Sequence, residues 1–232
     1  MVLVVGTGCR EASSGEEQSR ETAAPCEGCT LEVPYTSEAT PLLVVLHGNH
    51  ETAREAAKRW TAAASAKQIT LLSLQCPEKR GCDDVGRWYR WAGDPAWIEN
   101  QVKWVADRHA VDARRVYLVG WSGGASYIGQ RAPEWAGMFA AVVLHGGGQP
   151  PSRSACPRDP LPAYFLVGDK NPAHDGAREL RAWFERCKQP VEWDLIPGGD
   201  HEREEAALDT AKATAILGWL TTNGRAPAVS AR

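Results

Sequence analysis

Short apolar runs alternate with longer amphipathic segments through most of the chain. The apolar runs are mostly continuous, as is typical of parallel strands that are covered on both faces. They predict strands at residues 42–46, 69–74, 116–119, 139–144, 164–167 and 191–196, and helical spacing predicts helices at 53–66, 97–109, 124–131, 176–187 and 204–220. The pattern therefore predicts an α/β fold, with a mostly parallel sheet and helices on both faces. A further strand is expected at residues 31–35, at the sheet edge, where Pro34 is tolerated.

The chain length of 232 residues suits a single domain of this class. We expect the domain to span residues 30–222, with a signal remnant or flexible tether at 1–29 and a disordered tail at 223–232. The net charge is -3 and Lys and Arg form no run, which argues against a nucleic-acid partner. No apolar run approaches the roughly 20 residues that a membrane span requires.

The first residues place an apolar piece before Cys9 and a Ser- and Glu-rich segment after it. This order is that of the end of a bacterial lipoprotein signal, in which a lipidated Cys9 tethers the protein to a membrane. Gly6, however, stands where such signals usually have leucine, and the charged start is missing. A disordered N-terminus with a chance cysteine is the alternative, and both interpretations stay open.

Six further cysteines form an even set, with close pairs at Cys26/Cys29 and Cys76/Cys82 and two more at Cys156 and Cys187. An even set with close pairs favours disulfides in an oxidising compartment, and therefore an exported protein. The pairing does not follow from the sequence. A redox dithiol at residues 26–29 is an alternative, although no βαβ pattern follows it. A zinc site built from the two close pairs is another, although the second pair is spaced more widely than usual.

The most specific motif is "VYLVGWSGGAS" at residues 116–126, where a predicted strand enters a glycine-rich turn and then a predicted helix. A serine on such a tight turn is strained, and side chains two positions away on either side would collide, so glycine is needed at Gly120 and Gly124. The turn lifts Ser122 above the sheet at the positive end of the helix. This context predicts that Ser122 is a nucleophile and that the Gly123 N–H contributes to an oxyanion hole.

At this point the chain resembles the α/β-hydrolase superfamily, and more narrowly the small secreted esterases related to polyhydroxybutyrate depolymerases and feruloyl esterases. The resemblance runs from about residue 40 to 220 and is strongest in "WIENQVKWVADRHAVDARRVYLVGWSGGAS" and "APEWAGMFAAVVLHGG". It implies ester cleavage through an acyl-enzyme, without a metal or a cofactor. It also implies that Asn49, which follows His47 and Gly48, donates the second oxyanion N–H, and that His201 in "IPGGDH" is the general base.

The acid of the triad has three candidates. Relatives carry it in the form Gly-x-x-Asp after the strand that matches 164–167, and here that position holds Asn171. Asn171 could orient His201 through its side-chain carbonyl, but it cannot stabilise an imidazolium as a carboxylate does. Asp169 lies two residues earlier and is our preferred acid. Asp175 is a third candidate, with a ready explanation as a helix-start residue.

The short distance from Ser122 to the acid leaves no room for a large lid domain, which predicts an open site for a small-molecule or polymeric ester. Trp121, Trp88 and Trp91 are candidate substrate-binding residues, and an aromatic rim suits a polyester, an aryl ester or a sugar-linked ester. Two rival interpretations stay open. One is a peptidase or thioesterase of the same fold, and the other is a catalytically retired binding protein at the cell surface.

Overall fold

The computed structural model describes residues 19–152 and 155–224, which form one eight-stranded sheet with helices on both faces. The strands are β1 (Ser19–Thr22), β2 (Thr30–Pro34), β3 (Thr40–Leu46), β4 (Thr70–Leu74), β5 (Val111–Trp121), β6 (Ala141–His145), β7 (Ala163–Gly168) and β8 (Val191–Ile196). The helices are α1 (Ala53–Ala66), α2 (Ala96–Ala106), α3 (Gly123–Gln130), α4 (Ala132–Trp135), α5 (His174–Arg186), α6 (His201–Ala207) and α7 (Thr210–Asn223). The strand order is β1-β2-β4-β3-β5-β6-β7-β8. In this order every neighbouring pair from β4 and β3 to β7 and β8 is parallel. The predicted α/β fold is confirmed, and the described residues form no large lid domain.

The sheet edge differs from the prediction. Residues 19–22, expected in the tether, form β1, which pairs antiparallel with β2 and places Ser19 opposite Pro34. The segment at 31–35 is therefore not the edge strand but the second strand, between β1 and β4. The sequence of β1 is polar, so no apolar pattern predicts it as a strand. An edge strand with exposed and half-buried residues has little surface to bury and needs few apolar side chains.

The predicted helix at 204–220 is wrong in its bounds, because the structure has two helices there. The first, α6, begins three residues earlier, and the side chain of its N-cap Asp200 accepts the Arg203 N–H at 3.0 Å. The second, α7, has its own N-cap, because Asp209 accepts the Lys212 N–H at 2.7 Å. Two capping aspartates thus divide one apolar pattern into two helices.

The sheet separates two apolar layers, and consecutive residues of β3 point into different layers. Leu43 and Val45 pack with side chains of α1 and α7 on one face. Val44 and Leu46 pack on the other face, with side chains of α2, α3 and α5. Because both faces of the central strands are covered, these strands are apolar throughout rather than alternating.

The carboxyl ends of the central parallel strands meet at one edge of the sheet. Leu46 at the end of β3 is level with Gly120 of β5, which is level with Leu144 of β6. The loops that leave β3, β5, β6 and β7 therefore converge, which is where open α/β sheets form their sites. The loops after β3, β5 and β7 contain predicted site residues, which are Asn49, Ser122, Gly123 and Asp169, and predicted His201 follows β8.

Three disulfides cross-link the described residues: Cys26–Cys29, Cys76–Cys82 and Cys156–Cys187. The predicted disulfides are present, and the zinc alternative is wrong because its four cysteines bond to one another in pairs. Within residues 19–152 and 155–224 no three His, Cys, Asp or Glu side chains are grouped to hold a metal.

The lipidation hypothesis falls on Cys9, which lies outside the described residues, as do the last eight residues of the chain. No helix in the described part is both long and apolar enough to cross a bilayer.

The disulfide between Cys156 and Cys187 closes a loop with a sequence separation of 31 residues, far longer than the separation of 3 between Cys26 and Cys29. Because a cross-link restricts the unfolded chain more when its loop is longer, we expect C156A/C187A to lower the free energy of unfolding by about 3.5 kcal/mol. C26A/C29A should cost less. Urea unfolding of both variants and the wild type measures the difference, and an equal loss in both would contradict the loop-length explanation.

Candidate active site

Ser122 occupies the turn between β5 and α3 in a backbone conformation that side chains rarely adopt, with φ 50° and ψ -107°. Such a conformation costs about 1–3 kcal/mol and persists only where the surroundings enforce it. A side chain at Gly120 would collide with the backbone of Gly124, and one at Gly124 with the carbonyl oxygens of Leu46 and His47. The two glycines are thus required for the reason that the motif suggested.

His201 faces the serine hydroxyl. Its Nε2 lies 3.0 Å from Ser122 Oγ, within hydrogen-bond distance. The Trp121 ring stacks on the imidazole with a centroid distance of 4.4 Å and an interplanar angle of 6°. His201 is the first residue of α6 rather than a loop residue, so its position is set by the helix start.

Glu204, which the sequence interpretation missed, contacts the other nitrogen of this histidine. Its Oε2 lies 3.0 Å from His201 Nδ1, and its Oε1 accepts the Gly168 N–H at 2.5 Å. The residue is fully buried. Residues three apart in a helix lie on the same face, so the helix start at His201 brings the two side chains together. The signal that could have found Glu204 is Asp200, a typical N-cap residue directly before the histidine.

Asn171 is buried beside this pair, but it does not orient His201 through its carbonyl, which was the alternative to Asp169. Its Oδ1 accepts the Ala173 N–H at 2.8 Å, which directs the amide nitrogen toward the histidine. That Nδ2 donates to Gly146 O at 3.1 Å and to Glu204 Oε2, and it lies 3.0 Å from His201 Nδ1. An amide nitrogen has two N–H groups and no acceptor, so the contact with His201 is a juxtaposition of two donors when Nδ1 is protonated.

Asp169, our preferred acid, does not contact His201 and needs correction. It is exposed, and its Oδ1 accepts the Gly198 N–H at 2.8 Å. The loop after β7 is held against the turn that follows β8, because Lys170 N–H donates to Gly199 O at 2.8 Å. This contact directs the Asp169 carboxylate toward that turn. Asp175 lies in the first turn of α5, is exposed and faces Arg178 at 3.6 Å, which fits its helix-start explanation.

The loop after β3 is braced from several sides. His47 is buried; its Nδ1–H donates to Gly48 O at 2.6 Å and its Nε2 accepts the Cys76 N–H at 3.0 Å. The Gly48 N–H donates to Glu51 Oε2 at 2.8 Å. Burial lowers the pKa of His47, which keeps the ring neutral and able to accept at Nε2. These bonds fix the backbone on either side of Asn49.

The two residues predicted to supply the oxyanion hole are in contact. The Asn49 side chain packs so closely on Gly123 that a Cβ there would overlap its Oδ1. Among the residues that the structure describes, neither Asn49 N–H nor Gly123 N–H donates to a protein acceptor. Gly123 is the first residue of α3, where backbone N–H groups have no partner within the helix. The pair is therefore available to an anionic oxygen above Ser122.

An open cleft of about 720 Å³ lies over Ser122 and His201, and Trp121 forms part of its wall. Arg59 sits across it, with ion pairs of 2.5 Å to Glu51 and 3.0 Å to Glu205 and its guanidinium 5.3 Å from the Trp121 ring centroid. This arginine links the loop after β3 to α6, so both sides of the cleft are tied together.

Trp88 and Trp91, predicted to bind substrate, lie instead in the core. Trp88 is 0% exposed and Trp91 3% exposed, and their rings meet edge to face at 5.8 Å. Trp88 also lies 5.6 Å from the His47 ring, beneath the braced loop. The two tryptophans pack beneath the loop and support it. Large aromatic side chains are stabilised by burying their area in the core rather than leaving it on the surface. Trp121 is the predicted tryptophan that reaches the cleft.

This arrangement of a strained serine turn, a histidine after the last strand and an open parallel sheet defines the α/β-hydrolase fold class. The chain matches the family model of the esterase PHB depolymerases over residues 30–152, more than half its length, and it belongs to that family. It is thus, in general terms, a carboxylic ester hydrolase.

Similar solved structures show the same fold. An S-formylglutathione hydrolase from Staphylococcus aureus is 13% identical with a TM-score of 0.64, over 87% of this chain and 94% of that one. A thermostable esterase is 17% identical with a TM-score of 0.65, over 89% and 63% of the two chains. A Bacillus cereus carboxylesterase is 14% identical with a TM-score of 0.61, over 84% and 93%. Among curated proteins, a sequence search found no match.

His145, at the end of β6, generates a prediction about stability. Its Nε2–H donates to the Glu204 backbone O at 2.7 Å, and burial lowers its pKa to about 3. The native state therefore stays unprotonated below pH 6.5, where the unfolded chain binds a proton, so stability falls as the pH falls. We expect this histidine to lower the free energy of unfolding by about 2 kcal/mol at pH 5 relative to pH 7.

Denaturant unfolding of His145→Asn between pH 4.5 and 7.5 checks this expectation, because the substitution keeps a donor and removes the titration. The pH slope of the variant should be shallower by about one proton. His50→Asn, at an exposed position, is the matched control and should keep the wild-type slope. A wild-type slope in His145→Asn would contradict the assignment.

Proposed function

We propose that this protein is a serine carboxylic ester hydrolase that acts through an acyl-enzyme. The observation that carries the proposal is the 3.0 Å contact of Ser122 Oγ with His201 Nε2 at a strained turn. Asn49 and Gly123 are in contact beside that turn, and within the described part of the chain neither of their N–H groups has a protein acceptor. Nucleophile, base and oxyanion donors are the parts that acyl transfer requires.

The chemistry uses these parts in order. Ser122 Oγ attacks the ester carbonyl carbon while its proton passes to His201 Nε2, and the carbonyl oxygen becomes an oxyanion that accepts from Asn49 N–H and Gly123 N–H. The bond to the alcohol oxygen then breaks, and His201 returns the proton to that oxygen. Water then attacks the carbonyl carbon of the acyl-enzyme while its proton passes to His201 Nε2. The bond from that carbon to Ser122 Oγ breaks, the carboxylic acid leaves, and His201 returns the proton to Ser122 Oγ.

The cleft supports a bulky, uncharged ester as substrate. It is open, and the described residues place no lid domain over it, so an extended chain can lie across Ser122. Trp121 lines the cleft but is only 8% exposed, so it offers a small aromatic contact for an apolar group. The Arg59 guanidinium is already paired with Glu51 and Glu205, which leaves it committed rather than free to bind an acidic substrate. Polyesters, aryl esters and sugar-linked esters share these properties.

The cysteines support a proposal about where the protein is located. The three disulfides support export to an oxidising compartment. A membrane tether through Cys9 stays a hypothesis about residues outside the described part of the chain.

Hydrolysis of p-nitrophenyl acetate and butyrate tests the proposal. We expect the wild type to hydrolyse both esters and Ser122→Ala to lose activity by on the order of 10⁴-fold or more, because no other group can form the acyl-enzyme. Ser126→Ala, which removes a second serine of α3 that takes no part in the proposed reaction, is the matched control and should stay active. A fluorophosphonate probe should label Ser122 in the wild type.

Two results would overturn the proposal. A wild type that neither hydrolyses the esters nor reacts with the probe would favour the retired binding protein. Faster turnover of a thioester or a peptide anilide than of the matching ester would favour the thioesterase or peptidase interpretation.

A further inference from the structure

The base of the proposed reaction needs an acceptor at its second nitrogen. For His201 Nε2 to accept the Ser122 proton, Nδ1 must carry a hydrogen, and that hydrogen needs an acceptor. Two side-chain atoms lie 3.0 Å from Nδ1: Asn171 Nδ2 and Glu204 Oε2. The amide nitrogen is a donor, so the carboxylate oxygen is the acceptor.

We propose that Glu204 is the acid of the triad, a positioning residue that fixes the tautomer of His201 and stabilises its charged form. The proposal rests on the proposed function for its chemistry. The order along the chain is then Ser122, His201, Glu204, whereas this fold usually places the acid before the histidine. Base and acid lie within one turn of α6 and are positioned as one unit.

The surroundings of Glu204 hold its carboxylate in a single orientation. Oε1 accepts the Gly168 N–H at 2.5 Å, and Oε2 accepts from Asn171 Nδ2 as well as from His201. The backbone carbonyl of the same residue accepts from His145 at 2.7 Å. These bonds leave the carboxylate one orientation. Among the partners of the carboxylate oxygens themselves, His201 is the group that can become positive, as catalysis requires.

In this proposal, Asn171 supports Glu204 by donating a hydrogen bond to its carboxylate. Its amide occupies the position where relatives hold the acid, and it uses that position to donate to Glu204 Oε2 and to Gly146 O. The departure of the sequence from Gly-x-x-Asp is therefore compensated by a carboxylate that reaches the same histidine nitrogen from α6.

Glu204→Gln tests the proposal with a nearly isosteric change. Because Gly168 N–H retains the side-chain oxygen, the new amide nitrogen faces His201 Nδ1 and favours the tautomer that cannot accept the Ser122 proton. We expect kcat for p-nitrophenyl butyrate to fall by about 10³–10⁴-fold with little change in KM.

Relocating the carboxylate provides a rescue. N171D/E204Q places a carboxylate oxygen where the Asn171 nitrogen stands, 3.0 Å from His201 Nδ1. It also gives the introduced glutamine an acceptor for its N–H. The new oxygen faces Gly146 O at about the former distance of 3.1 Å, so the rescue should be partial. We expect kcat at least about tenfold above that of E204Q.

Asp169→Asn is the matched control, because it removes the carboxylate nearest in sequence to Asn171 and leaves His201 untouched. It should retain wild-type kcat. Circular dichroism and urea unfolding of every variant separate a folding defect from a loss of chemistry. An E204Q that folds and keeps kcat within threefold of the wild type would overturn the proposal, as would a large loss in Asp169→Asn.

A readout independent of ester turnover keeps the two proposals apart. The His201 Nδ1–H proton, held on a buried carboxylate, should give a far-downfield proton resonance in the wild type that Ser122→Ala keeps and E204Q loses. If the wild type proves inactive on every ester but this pattern holds, the proposed function fails and Glu204 still positions His201. If esters are cleaved but the resonance persists in E204Q, the acid assignment fails alone.

Discussion

The first turn of α6 is the constraint on which the site depends. Asp200 caps this helix and makes His201 its first residue, so that Glu204 lies on the same face one turn later. The histidine therefore begins a helix rather than lying in the loop after β8, and its Nδ1 is 3.0 Å from Glu204 Oε2. Because the cap sets where α6 begins, it places the base and the carboxylate on one face of that helix.

The parallel sheet provides the remaining geometry. Ser122 leaves β5 at the centre of the sheet, and the loop after β3 brings Asn49 to it because β3 and β5 end at the same level. His145 at the end of β6 holds the backbone of Glu204, so α6 is attached to the sheet through a buried bond rather than through surface contacts. Arg59 connects α6 to the loop after β3 from the solvent side. At this edge of the sheet, α6 is thus held by a buried hydrogen bond from His145 and by ion pairs of Arg59 on the solvent side.

The fold and the serine turn could be predicted from the sequence, because both leave a clear residue pattern. Continuous apolar runs revealed the buried strands, and the glycines around Ser122 reported a steric requirement that the structure shows directly. The acid was missed because helix starts are poorly defined by apolar spacing: the pattern began at Glu204 itself, and the polar first turn was taken for loop. Trp88 and Trp91 were misplaced because sequence clustering shows that aromatics are near one another and not which side of a loop they occupy.

Activation of Ser122 by a histidine that the Glu204 carboxylate holds can be tested with a crystal structure of the wild type after reaction with a p-nitrophenyl phosphonate. We expect phosphorus bonded to Ser122 Oγ and a phosphonyl oxygen within hydrogen-bond distance of Asn49 N and Gly123 N. We also expect Glu204 Oε2 within that distance of His201 Nδ1. An unmodified Ser122, or an adduct in which His201 has turned to another carboxylate such as Asp169, would contradict it.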